Sequence, residues 1–282
     1  MSNFSLVNNT SSATSQSSLG VTSAKLNKTL QRLSSGLRIN RSGDDAAGLA
    51  IANQFRSDIS VLSQGVRNAN DGLSTLQIID GGLNTISGLL DRAASLATQA
   101  ASGTFAGDRQ TLQDELDKVT AEITRQAGNI GLSAAGVDDG DDKYVAELEV
   151  YIGGGASAEA TGNSVMIDLS AAAADAETLA VDGLDITDVD GAKDAITAIR
   201  TAVTTLGTVQ GQVGAGQNNL SQAVDLASAQ ITNFQAAESA IRDADIAAEA
   251  SNMARLATLQ QAGVSALAQA NQSSQALLSL LR

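Results

Sequence analysis

Residues 199–241 read IRTAVTTLGTVQGQVGAGQNNLSQAVDLASAQITNFQAAESAI, and every seventh position is apolar: Ile199, Leu206, Val213, Leu220, Ala227, Phe234 and Ile241. A heptad sustained over this length marks a helix lying along another helix, because about 3.5 residues per turn keeps one stripe facing its partner. Val203, Val224 and Ile231 supply a companion stripe, interrupted at Gln210 and Gln217. A second run of this kind spans 46 to about 100. Phe55, Leu62, Ala69, Leu76, Leu83 and Leu90 recur by seven, and Ile59, Val66 and Leu73 accompany them until the stripe weakens at Asp80 and Ser87. These two runs predict a mainly α fold of elongated helical bundle or coiled-coil layers. Glycines 65, 72, 81, 82 and 88 interrupt the earlier run. Each costs about 1 kcal/mol in a helix interior, so they mark either close approach of another backbone or a bend near Gly81 and Gly82.

Working outward, residues 101–107 (ASGTFAG) read as a turn, and 108–130 resume a helix with Leu112, Leu116, Val119 and Ile123 in register, folding back as a hairpin. Residues 1–17 are polar and are expected to be poorly ordered free in solution. Residues 18–38 read as a helix with Leu26, Leu30, Leu33 and Leu37 along it. The stretch INRSGDD at 39–45 is a turn, with Gly43 suited to positive φ and Asp44 or Asp45 suited to capping the next helix or pairing with Arg41. A last helix runs from about 245 to 280, and Leu256, Leu267, Leu277, Leu278 and Leu281 give it an apolar face. Its Gln260, Gln261, Gln269, Asn271 and Gln272 suit either bonds that set helix register or plain solvent exposure.

Residues 133–190 change character. The runs YVAELEVYIG, SVMIDLS and LAVDGLDIT are broken by Gly and Asp, and alternation from Val145 to Val150 suggests a strand. The predicted domains are therefore three: 1–42 with 243–282 as paired terminal helices, 43–135 with 192–242 as a helical layer, and 136–191 as a small acidic β-rich insert on the surface. The two ends mirror each other, and pairing them covers both sticky faces. A chain whose two ends both need apolar partners is built to assemble.

Composition narrows the chemistry. The chain has 282 residues with no Pro, Cys or Trp and no His. Absent Pro permits very long helices. Absent His and Cys remove imidazole and thiolate bases, ligands and nucleophiles, and no serine has a candidate base beside it. DDGDD at 138–142 lacks the alternating ligands and terminal Glu of a calcium loop, and Gly153 to Gly155 lack the Lys and hydroxyl of a phosphate loop. No catalytic, cofactor or metal site is expected. The net charge is −14, and residues 136–195 hold 15 acids against Lys143 and Lys193, which opposes nucleic-acid binding. The start of the chain lacks the basic and apolar regions of a signal peptide. No stretch is apolar enough to predict membrane insertion.

LSSGLRINRSGDDAAGLAIANQFRSDI at 33–59 and SNMARLATLQQAGVSALAQANQSSQALLSLLR at 251–282 resemble the two signatures of bacterial flagellin, over roughly 1–135 and 192–282. The resemblance implies a secreted subunit of the extracellular flagellar filament, an open helical homopolymer, with or without sister flagellins, that drives swimming. Its implied partners are other copies of itself, the flagellar export apparatus and a secretion chaperone, and the filament cap and hook-junction proteins. The inner core of the filament would be built on Leu26, Leu30, Leu33, Leu37, Leu256, Leu267, Leu277, Leu278 and Leu281. Phe55, Leu62, Leu76, Leu83, Leu90, Leu206, Val213, Leu220 and Phe234 would hold the subunit itself together. The family's patch for an innate immune receptor matches at Arg92, Leu96 and Glu115, but Ala94 and Ser95 stand where a charged pair is usual, so escape from strong recognition is expected. The resemblance also implies supercoil switching, and glycans on outer Ser and Thr residues.

Other classes fit less of the chain. A hook–filament junction protein shares the terminal helices but usually lacks both full signatures. A coiled-coil adaptor explains the heptads and not the paired ends. A protease carried by the insert needs a His pair that this chain does not have.

Overall fold

The computed structural model describes residues 9–104, 107–133, 147–153, 163–169 and 172–280, apart from the side chains of Glu147 and of 273–280. Among these described residues, five helices and two strands follow in the order α1 (Thr10–Ser35), α2 (Ala46–Ala100), α3 (Arg109–Asn129), β1 (Glu147–Tyr151), β2 (Ser164–Asp168), α4 (Val189–Arg242) and α5 (Ile246–Leu280). Contacts group 1–57 with 233–282 as one compact unit and 58–232 as another, so the division falls inside α2 and α4 rather than at the turns near 42 and 242. The described strands of the insert belong to the second unit.

Polar residues set the helix ends. Asp108 caps α3 by accepting from the Gln110 amide, and Asp45 accepts from the Gly48 amide at the start of α2. Asp245 accepts from the amides of Ala247 and Ala248 and opens α5. Arg109 reaches back to the carbonyls of Ala100 and Ser102, answering the unpaired end of α2. The left-handed residue that closes α1 is Gly36 at φ 73°, while Gly43, expected to take positive φ, does not.

Helix α1 starts at Thr10, well before residue 18. Asn9 supplies the cap, accepting from the Ser12 amide, and tertiary bonds to α5 hold a stretch too polar to promise a helix by itself. Helix α2 is unbroken through Gly81 and Gly82.

The leading heptad stripes are buried: Leu62, Leu76, Leu83 and Leu90 in α2 are at most 1% exposed, as are Leu206, Val213 and Leu220 in α4. The companion stripes are not where bulky residues suggested. Ile59, Val66 and Leu73 are half-buried and Val203 is exposed. The buried companions lie three residues after central leading positions instead. In α2 they are Gly65, Gly72, Ile79, Ile86 and Ala93; in α4 they are Ala195, Ala202, Val209 and Gly216. Ile79, Ile86 and Val209 on these stripes are bulky, but the glycines and alanines beside them are small and let neighbours come close, and a reading by hydrophobic bulk passes over those.

Three of these glycines carry the sheet. β1 and β2 form an antiparallel hairpin that pairs Val150 with Val165 and Leu148 with Ile167. A Cβ on Gly65 would stand 1.7 Å from the Ile152 carbonyl oxygen. One on Gly72 would be 2.8 Å from Val150 Cγ2, and one on Gly216 would be 2.8 Å from Ile167 Cγ2. Gly82 in turn admits Ile130 at the end of α3, 2.3 Å from where its Cβ would be. Close approach, not bending, explains these four; Gly81 and Gly88 face open space.

The run LAVDGLDIT is a turn and not a third strand. The Gln113 amide clasps it, donating to the Leu184 carbonyl at 2.8 Å and accepting from the Ile186 amide at 2.8 Å, so its backbone groups are answered by a side chain. Residues 138–142 and 154–155 lie outside the described residues.

Adding one methyl therefore has opposite consequences along α2. Gly65→Ala is expected to destabilise the chain by at least about 2 kcal/mol in urea unfolding, since backbone rather than a flexible side chain blocks the methyl. Gly88→Ala is expected to stabilise it by up to about 1 kcal/mol through helix propensity. Equal effects of the two would remove the role assigned to the hairpin's approach.

Candidate functional site

The two ends of the chain meet in the terminal unit as an antiparallel helix pair. On α1, residues 12, 15, 19, 22, 26, 29 and 33 are covered at steps of three and four; on α5, residues 249, 253, 256, 260, 263, 267 and 270 follow the same alternation. These are the two stripes of an antiparallel coiled coil. Leu19 lies over Gly263, with its Cδ1 3.2 Å from where a Cβ would stand. Leu256 is 6% exposed and Thr29 8%. At one end Asn9 donates to the Ala270 carbonyl and Ser12 to Asn271 Oδ1. At the other, Arg32 Nη1 donates to Glu249 Oε1 at 3.1 Å.

Beyond the helix ends the backbones themselves pair. Leu37 and Asp243 form an antiparallel bridge, in which the Arg38 amide donates to the Arg242 carbonyl at 2.6 Å and the Ala244 amide to the Gly36 carbonyl at 2.9 Å. The Arg38 side chain adds a bond to the Ile241 carbonyl at 2.7 Å. The bridge forms where both helices break: Gly36 closes α1, and Asp243 to Asp245 separate α4 from α5. Two more ion pairs flank it, Lys28 with Asp44 at 2.6 Å and Arg242 with Glu238 at 3.2 Å. Asp44 thus meets Lys28 and the backbone amides of Asn40 and Arg41 rather than the Arg41 side chain. Ile39 is buried and reaches into the space left by Gly48. Phe55 and Phe234 stack with ring centres 5.5 Å apart, both half-buried.

The terminal leucines divide by role. Leu26, Leu33, Leu256 and Leu267 lie on the covered stripes, and Leu37 is half-buried in the bridge. Leu30 is 43% exposed and lines an open hollow of about 580 Å³ with Asn27, Gln31, Ser34, Ser35, Asn40 and Arg41. The side chains of Leu277 and Leu278, and all of Leu281, lie outside the described residues. Val21, Ile246, Leu259 and Val264 also face outward, each about half exposed. Of the amides, Gln260 sits on the covered stripe and Asn271 bonds Ser12, while Gln261, Gln269 and Gln272 are exposed. The covered polar positions Ser12, Thr22 and Thr29 escape a leucine-only reading; the three-four spacing from Leu19, Leu26 and Leu33 is the signal that finds them.

In the second unit Arg92 and Glu115 form an exposed ion pair across α2 and α3, while Leu96 is 2% exposed within the core. Among the described residues no group of three or more His, Cys, Asp or Glu is placed to hold a metal ion. No described helix is long and apolar enough to cross a membrane.

Comparison with known proteins finds matches at both ends of the chain. The family description "Bacterial flagellin N-terminal helical region" matches residues 6–130, and "Bacterial flagellin C-terminal helical region" matches residues 196–281. The "Flagellin" of Halalkalibacterium halodurans is 37% identical, covering 94% of this chain and 94% of that protein. The "Flagellar filament 33 kDa core protein" of Treponema phagedenis is 34% identical over 97% of this chain and 98% of its own. The "Flagellin" of Bacillus subtilis is 36% identical over 90% and 92%.

The Lys28–Asp44 pair carries a pH signature. The hydrogen bond from Lys28 is the largest influence on the Asp44 carboxyl and holds its pKa below the usual 3.8; burial opposes it, and the amides of Arg41 and Asn40 assist. A carboxyl depressed in the folded state stabilises fully above its unfolded pKa and loses that contribution as pH falls through the folded one. The gap in melting temperature between the parent chain and Asp44→Asn is therefore expected at neutral pH and should shrink as pH drops below 3.8. A gap independent of pH would show that the carboxylate charge is not what the site uses.

Proposed function

This chain belongs to the bacterial flagellin family and is a structural subunit of the flagellar filament, and from that premise we propose that its paired terminal helices are the surface through which copies join. The observation that carries this is the helix pair itself: α1 and α5 cover one stripe on each other, yet leave Val21, Leu30, Ile246, Leu259 and Val264 facing outward. Removing such surface from water is worth roughly 25 cal/mol per Å² of apolar area. Repeated at every subunit through a contact that does not close into a ring, it yields an open helix.

On this reading residues 1–42 and 243–282 build the inner layer of the filament, with Leu277, Leu278 and Leu281 adding to its apolar contacts. Residues 43–135 and 192–242 build the outer tube, and 136–191 face outward. The filament lies outside the cell, and its rotation drives swimming. The subunit is exported by the flagellar apparatus with a secretion chaperone, and adds beneath a cap to a filament begun on junction proteins. It performs no catalysis. Recognition by the innate immune receptor is weak, because Ala94 and Ser95 stand between Arg92 and Leu96 where the family usually carries a charged pair; potent activation in a receptor reporter assay would refute this.

Electron microscopy of the purified chain, seeded with filament fragments, is expected to show long helical filaments. A chain lacking residues 1–42 is expected to keep a cooperatively melting helical centre, because the leading stripes from Leu62 to Leu90 and from Leu206 to Leu220 stay intact, and to form no filaments. Ordinary filaments from the truncated chain would defeat the assignment of assembly to the ends.

A further inference from the structure

Every copy in a homopolymer carries the same α1 and the same α5, so the stripes that pair within one chain are equally able to pair between two. Something must decide which α1 takes which α5. The stripes alone do not, since their repeat of three and four is indifferent both to the chain of origin and to a slip of one heptad.

The polar contacts at the break are not indifferent. Arg32 stands in the last turn of α1 and Glu249 in the first turn of α5, with side chains 26% and 13% exposed. Each suits the dipole of its own helix, the cation at a C-terminus and the carboxylate at an N-terminus. The pair lies next to the backbone bridge from Gly36 and Arg38 to Arg242 and Ala244, which follows α1 and precedes α5 directly in the chain. Around it the charges alternate: Lys28 with Asp44, Arg242 with Glu238. The arrangement is expensive, because the Nε atoms of Arg32 and Arg242 are buried with no partner among the described residues. Apolar residues at these positions would leave no buried donor unanswered. A half-buried, incompletely satisfied ion pair is a poor source of stability and a good source of selectivity, because any other register strands both charges.

We propose that Arg32 and Glu249 are specificity-determining residues of assembly: with the adjoining bridge, they select pairing of α1 with the α5 of its own chain, in the one register that joins the two charges. This rests on the filament reading above and adds to it which helices pair. Among the described residues of the helix pair, a second copy then meets the outward ones, Leu30, Leu259 and Val264 among them.

The test reverses the charges and reads the critical concentration for seeded polymerisation. Arg32→Glu and Glu249→Arg, each alone, place like charges together and are expected to raise that concentration about tenfold or more. The double variant R32E/E249R in one chain is expected to recover to within about threefold of the parent, the remainder reflecting charges now opposed to their helix dipoles. An equal mixture of the two single variants provides complementary charges only between different chains, and is expected to stay as impaired as either alone. Rescue by the mixture would mean that the helices pair between copies and would overturn the proposal. So would single variants that assemble like the parent, or a double variant no better than the singles. A parent chain that forms no filament under the same seeding would instead defeat the filament reading itself.

Discussion

The backbone bridge between Leu37 and Asp243 holds the terminal unit together. It joins segments far apart in the sequence, and it does so where both helices have stopped and left amides and carbonyls without helical partners. A helix end in this position is a liability unless something answers it. Here each end answers the other, and the helices leaving the junction, α1 and α5, inherit their antiparallel direction. Gly36 makes this possible by taking φ 73°, which turns the chain out of α1 at the bridge. Arg38 then fixes the strand it belongs to twice, by its amide and by its guanidinium.

The central unit uses a different device. Its helices bury bulky residues on one stripe and a mixture of bulky and small ones on the next, and the smallest of these, Gly65, Gly72 and Gly216, form the floor on which the β-hairpin lies. Among the described residues the sheet has two strands, too few for stability alone. It depends on the helices for its core, through Val150, Ile152 and Ile167. The helices give up propensity at each glycine, about 1 kcal/mol apiece, and gain cover for leucine stripes that would otherwise meet water.

A filament subunit needs both properties: an interior stable by itself, and an outer face that is incomplete until a neighbour covers it. The central unit keeps its leading leucines below 2% exposure, whereas the terminal pair has few buried residues and a string of half-exposed apolar ones. A two-helix pair can bury only one stripe per helix, so this imbalance follows from its geometry. Polar groups on the covered stripes, Thr29 and Gln260 among them, weaken that pair further and make its register more particular.

Much of this was legible in the order of residues. The heptads through Leu62 to Leu90 and Ile199 to Leu220 determined long paired helices, the absence of proline let them run unbroken, and the alternation around Leu148 marked the first strand. The two terminal signatures determined the family. What tertiary structure decided were the places where small or polar residues matter. Glycines read equally as bends or as close contacts until the hairpin was seen to lie on three of them. The serines of α1 did not promise a helix until α5 was seen beside them, and Arg32 had no partner until the chain brought Glu249 to it. The physical reason is common to all three: apolar periodicity reports how one segment hides from water, whereas a glycine, a serine or a charge takes its meaning from whatever lies across from it, and that is set only when distant segments meet.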